Sequence, residues 1–99
     1  MAATANILEE LYQLTAERDR EPVAGSYTNY LLDKGSDRIL LNLGEQCLSL
    51  ILATKNEKDE QLKSELADLL YHLTVLLYTR GLDWPEIYEE LEKRRRENA

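Results

Sequence analysis

Apolar side chains recur along this chain at the three-and-four spacing of a helix, and no stretch shows the alternation of a strand. "ANILEELYQLTAER" places Ile7, Leu8, Leu11 and Leu14 on one face, which predicts an amphipathic helix broken by "DREPVAG". Ser26 then stands where a cap is needed for a short helix, "YTNYLLDK", and Gly35 stops it. Ser36 is the expected cap of a long helix running to about Lys55, with Asn56 and the charged "EKDE" as the turn that follows. A further long helix is expected over Asp59 to Arg80, ended by Gly81. Asp83 caps the last helix, Glu86 completes a capping box, and Leu82 and Ile87 hold the staple positions. With no repeat or low-complexity linker, the expectation is one all-α domain over residues 1–99.

The two central helices carry more apolar surface than one face can hold. The first has Ile39, Leu40, Leu43, Cys47, Leu50 and Ile51 on one side and Leu41, Leu48 and Leu52 on another. The second has Leu66, Leu69, Leu70, Leu73, Val75, Leu76 and Leu77. A helix that is apolar nearly all round is buried all round. A chain of 99 residues can hardly enclose two of them. The pattern therefore predicts a four-helix core shared between two copies, a homodimer. Cys47 is the sole cysteine, so no internal disulfide forms, a reducing compartment fits, and its expected role is that of a small buried hydrophobe.

Charge narrows the partners. Lys and Arg number 12 against 19 Asp and Glu, a formal charge of −7, which argues against nucleic acid or an anionic membrane surface. The basic run "KRRR" at 93–96 ends a predicted helix, where it complements the helix dipole. Glu9 and Glu10 interrupt the first apolar stretch, so no signal-peptide pattern is present, and no apolar run is long enough to span a bilayer. These features predict a soluble cytoplasmic protein.

Polar residues nevertheless line the central helices. At about 100° per residue, Glu65, Asp68 and His72 share one narrow arc of the second helix. Asn42, Gln46 and Ser49 share an arc of the first, with Glu45 beside them. Buried ionisable groups need a partner, water or a metal. Two carboxylates at i, i+3 are oxygen ligands suited to a hard cation such as Mg²⁺, while a wet or ion-paired seam is the plainer alternative. Asp68 is spaced to hydrogen-bond His72 on the same helix face. Lys34 and Arg38 flank the Gly-Ser turn, where they can meet a phosphate or simply solvent.

"GSYTNYLLDKGSDRIL", "LGE", "ATKN" and "SELADLLYHLTVLLYTRGL" together resemble the phosphoribosyl-ATP pyrophosphohydrolases of histidine biosynthesis, from about Leu8 to Arg94. The resemblance implies a MazG-like all-α fold, a dimer, and Mg²⁺-dependent cleavage of the α–β phosphate bond of phosphoribosyl-ATP. It implies metal ligands from an ExxE on one helix and an ExxD on the next. Glu65 and Asp68 supply the second pair, but Gln46 and Ser49 stand where the ExxE carboxylates belong. Leu41 and Asn42 stand where lysines are usual in that family. The surviving ligand set is Glu45, Glu65 and Asp68, with Lys34 and Arg38 for substrate. Replacing two carboxylates by an amide and a hydroxyl removes two charges from the cation's cage, so weak Mg²⁺ binding and weak or lost activity are expected. Two other readings stay open for a natural or engineered copy. One is an inert dimeric scaffold; the other is a serine hydrolase using Ser49, His72 and Asp68, without an evident oxyanion hole.

Overall fold

The computed structural model describes residues 6–98, and all of its regular structure is helical. Ala5, where the sequence pattern begins the first helix, lies outside them. Five helices follow one another: α1 Ile7–Arg20, α2 Tyr27–Lys34, α3 Ser36–Lys55, α4 Asp59–Arg80 and α5 Trp84–Glu97. α3 and α4 pack together as a helical hairpin. α1 lies along α4, α2 bridges α1 and α3, and α5 touches α1.

Local chemistry explains most boundaries. Ser26 Oγ accepts the Asn29 backbone N–H at 3.2 Å, so α2 starts where its cap permits. α4 ends on Gly81 in the left-handed region (φ 73°), with Leu82 N–H donating to Leu77 O at 3.0 Å in the six-to-one bond of a Schellman turn. Asp83 accepts the Glu86 N–H at 3.0 Å while Glu86 accepts the Asp83 N–H at 3.1 Å, completing the expected capping box. Arg94, Arg95 and Arg96 fill the last turn of α5 and pair with Glu90 and Glu92.

Two boundaries depart from expectation. α1 runs through Asp19 and Arg20 and stops at Glu21, which takes an extended ψ of 84°. Pro22 is the cause, since the residue before a proline is pushed out of the helical region. Ser36 is not a cap. It is the first residue of α3, and Gly35 alone (φ 88°, ψ −174°) joins α2 to α3, a conformation that needs the absent Cβ.

The core gathers at one end of the bundle. Leu31, Ile39, Leu43 and Val75 are buried, with Leu32, Leu69, Tyr71, Leu73 and Leu76 packed against them. Trp84 closes that end: its indole N–H donates to Thr74 Oγ1 at 3.0 Å, and Thr74 donates onward to Leu70 O. Tyr78 donates to Asp19 at 2.5 Å and meets Tyr12 edge-on, which fastens α1 to α4. On α1 it is Thr15 that is buried, whereas Ile7 is about half exposed. The expected all-round burial of the central helices is not found within one chain. Leu40, Leu41, Leu48, Ile51 and Leu52 are each 53–59% exposed, and Leu66 and Leu70 are also exposed. Cys47, expected as a small buried hydrophobe, is exposed within one chain. It lies beside Leu48 on a part of α3 that no other element among the described residues covers.

Candidate functional site: a polar seam around His72

The facing arcs of α3 and α4 do meet. His72 is 4% exposed and has partners at both ring nitrogens. Nε2 lies 2.9 Å from the Tyr27 hydroxyl, which also accepts from Asn42 Nδ2 at 3.1 Å. Nδ1 lies 2.8 Å from the Asp68 carbonyl oxygen and 2.9 Å from Gln46 Nε2. Three helices thus converge on one imidazole: α2 through Tyr27, α3 through Asn42 and Gln46, and α4 through its own preceding turn.

The fit at Gln46 is imperfect in a specific way. Nδ1 meets an acceptor, the Asp68 carbonyl, and a donor, the Gln46 amide, at the same time. Whichever tautomer forms, only one of the two is a hydrogen bond. Gln46 Oε1 is buried with no partner, and exchanging the amide's oxygen and nitrogen only moves the orphan from one atom to the other. A carboxylate at this position removes the conflicting donor, but its second oxygen takes the orphan's place with charge added.

Around the histidine stands an aromatic group that the sequence pattern did not reveal. Tyr27 stacks with Tyr30 and Tyr71, at centroid separations of 5.7 Å and 6.1 Å, and presents its edge region to His72. Thr28 and Tyr71 share a short hydroxyl–hydroxyl bond. Burial pushes the Tyr27 phenol above its usual pKa; Tyr71, Tyr30 and Asp68 add to this, and Arg38 opposes it. Tyr27 is therefore a neutral donor at physiological pH, and Arg38 and Asp68 lie within electrostatic range of it. The signal available in sequence was the hydroxyl-bearing run Ser26-Tyr27-Thr28 ahead of a short helix.

The remaining candidates are placed less tightly. Asp68 touches His72 through its backbone carbonyl; its carboxylate is not the orienting group expected. Ser49 is half-buried but is no partner of His72, whose ring nitrogens are taken by Tyr27, Gln46 and the Asp68 carbonyl, so the Ser49–His72–Asp68 constellation is not assembled. Glu65 is half-buried, and Glu45 and Asp68 are exposed. Among the described residues no three His, Cys, Asp or Glu side chains are gathered as a metal ion requires. Lys34 and Arg38 are exposed and make no ion pair among those residues; the Lys34 ammonium sits 5.8 Å above the Tyr30 ring.

The fold and seam together define an all-α bundle with a candidate site between two antiparallel helices, edged by carboxylates and cations. Comparison with known proteins makes this specific. The family model described as phosphoribosyl-ATP pyrophosphohydrolase matches residues 8–95. A phosphoribosyl-ATP pyrophosphatase of Limosilactobacillus fermentum is 53% identical over 88% of this chain and 82% of its own. One from Lactiplantibacillus plantarum is 49% identical over the same shares. The histidine biosynthesis bifunctional protein HisIE of Caldanaerobacter subterraneus subsp. tengcongensis is 44% identical over 89% of the chain, which spans 43% of that longer protein. The chain belongs to the phosphoribosyl-ATP pyrophosphohydrolase family, whose members are metal-dependent hydrolases. No helix among the described residues is long and apolar enough to cross a membrane.

Proposed function

We propose that this chain binds phosphoribosyl-ATP and converts it slowly to phosphoribosyl-AMP and pyrophosphate, as a cytoplasmic homodimer. The family match across residues 8–95 carries the reading. The slowness rests on position 46. At Gln46 a neutral amide faces a histidine nitrogen and brings no charge to a cation. In this proposal Lys34 and Arg38 hold substrate phosphates, and the neutral Tyr27 hydroxyl is kept in place by His72 and Asn42.

The donor set does not fit a tightly held Mg²⁺. A hard cation takes several oxygen ligands and depends on their charge. Here Glu65 and Asp68 remain as half of a seat, Glu45 stands apart from them at the surface, and position 49 offers a neutral hydroxyl. Mg²⁺ is accordingly the metal proposed, bound weakly. The dimer is supported by the row of exposed leucines and isoleucines on α3, which leaves a large apolar surface in water when the chain is alone.

Pyrophosphate release from phosphoribosyl-ATP in Mg²⁺ tests this reading, with Gln46→Glu/Ser49→Glu measured alongside. The double variant is expected to bind Mg²⁺ at least tenfold more tightly by calorimetry and to turn over at least about a hundredfold faster, since both a ligand and charge are restored. Tight Mg²⁺ binding and unchanged turnover in the chain as it stands, relative to the double variant, would overturn the assignment of positions 46 and 49.

A further inference from the structure

One atom beside the His72 ring has a role that cannot change. The Asp68 backbone carbonyl oxygen only accepts, and it lies 2.8 Å from His72 Nδ1. The other partners of the ring can reverse. An amide does so by exchanging its oxygen and nitrogen, a hydroxyl by turning its proton. The carbonyl therefore sets the direction of the whole set. In a neutral imidazole a proton on Nδ1 leaves Nε2 as an acceptor. The Tyr27 hydroxyl, 2.9 Å away, then donates to it. With that proton spent, the Tyr27 oxygen is open only to donors, and Asn42 Nδ2 reaches it at 3.1 Å. At Nδ1 the Gln46 amide turns its oxygen inward to share the proton, so its nitrogen becomes the buried orphan.

This one-way chain also fixes a helix. α2 has eight residues, and its first two side chains tie it to α4: Tyr27 to His72 and Thr28 to Tyr71. Leu31, midway along, is fully buried in the core. Apolar burial is non-directional, so Leu31 holds the middle of α2 without setting its rotation. The hydrogen bonds at the first turn do that. Lys34 is the last residue of the same helix, roughly 10 Å further along a stiff rod. A tilt at Tyr27 is carried to Lys34.

We infer that His72 is a positioning residue, held as its Nδ1–H tautomer by the Asp68 carbonyl, and that it sets Lys34 in place by fixing α2 through Tyr27. The inference rests on the role given above to Lys34. Tyr27 spends its hydroxyl proton inside the protein and has none to give to a substrate phosphate. The group that α2 offers to phosphate is the ammonium at its far end.

Nitrogen-15 NMR of the full chain at neutral pH reads the tautomer directly. A protonated Nδ1 and an unprotonated Nε2 are expected; the reverse, or two protonated nitrogens, overturns the inference. Kinetics with phosphoribosyl-ATP test the positioning. Tyr27→Phe keeps the aromatic ring and loses the donated proton. It should raise KM about fivefold to tenfold, the scale of one hydrogen bond, and leave kcat within about twofold, because phosphate binding weakens equally in the ground and transition states. His72→Leu should do the same. His72→Gln, whose amide oxygen can still accept from Tyr27, should keep KM within about threefold of the unaltered chain. An unchanged KM in both Tyr27→Phe and His72→Leu, a loss confined to kcat, or equal losses in His72→Gln and His72→Leu overturns the positioning role. If the unaltered chain releases no pyrophosphate, the functional reading falls and the role of Lys34 with it. The nitrogen signals decide the tautomer in either case.

Discussion

The two halves of α4 live in different surroundings. From Tyr71 to Tyr78 the helix is enclosed: His72, Thr74 and Val75 are buried, and Trp84, Tyr78 and Leu31 complete the packing around them. From Asp59 to Leu70 no residue is buried, and Leu66 and Leu70 stand exposed. α3 divides less cleanly: Ile39 and Leu43 are buried and Leu48, Ile51 and Leu52 exposed beyond them, but Leu40 and Leu41 are exposed at the enclosed end and Ala53 is buried near the turn. The contrast follows from connectivity. α1, α2 and α5 all gather around the end of the hairpin that holds Trp84, so among the described residues no element is left for the end that carries the α3–α4 turn. One end of the bundle is a packed core; the other leaves apolar side chains exposed within one chain, the surface on which the proposed dimer rests.

Charging the exposed end gives the sharpest break in this contrast. Leu48→Glu combined with Ile51→Glu should convert a dimer to monomer and lower stability by more than about 5 kcal/mol, because two unpaired charges enter an apolar contact. In a chain that is monomeric by nature the same changes at exposed sites should fall within about 0.5 kcal/mol each. Sedimentation together with the concentration dependence of the thermal midpoint distinguishes these outcomes.

At the packed end, Leu31→Ala removes a side chain with no exposed surface. A loss of about 2–5 kcal/mol in denaturant unfolding is expected there, as for other buried leucines. A loss below 1 kcal/mol would mean that the two ends differ less than their burial suggests.

The smallest effect concerns alkaline pH. The Tyr78 phenol is raised above its usual pKa, first by its hydrogen bond to Asp19 and then by burial. A pKa higher in the folded state means that the stabilisation is complete below the unfolded value of 10.0 and is lost as pH rises through the folded value. Stability should therefore decline above about pH 10, and Tyr78→Phe should lessen that decline while costing some stability at neutral pH. A decline of the same slope in Tyr78→Phe would place its origin in Tyr12, Tyr27 or Tyr88, whose phenols are also raised.

The helices were legible where a residue type allows little choice. Gly35 and Gly81 end helices, and Asp83 with Glu86 starts one, because positive φ and reciprocal capping leave few alternatives. Pro22 also sets the end of α1, but the run "DREPVAG" spreads the break over residues that the helix in fact keeps. Helical phase was enough to bring Gln46, Asn42 and His72 into one seam. It could not reveal Tyr27, Tyr71 or Thr28 as neighbours of that seam, since His72 and Tyr27 are 45 residues apart and meet only through the placement of α2. Nor could periodicity tell a leucine buried by its own chain from one left exposed, as Leu43 and Leu48 show. The same ambiguity holds for Cys47, which is exposed within one chain.

Trp84 has an optical consequence. It is the chain's sole tryptophan, buried at the packed end, bonded to Thr74 and stacked on Tyr88 at 6.2 Å. Its emission therefore follows the loosening of α5 from α4 and is blind to the distant hairpin end, whereas far-ultraviolet ellipticity weighs both ends alike. When the two signals give the same midpoint, the bundle melts as one unit; when ellipticity falls first, the turn end of α3 and α4 has frayed while the indole still reports a folded protein.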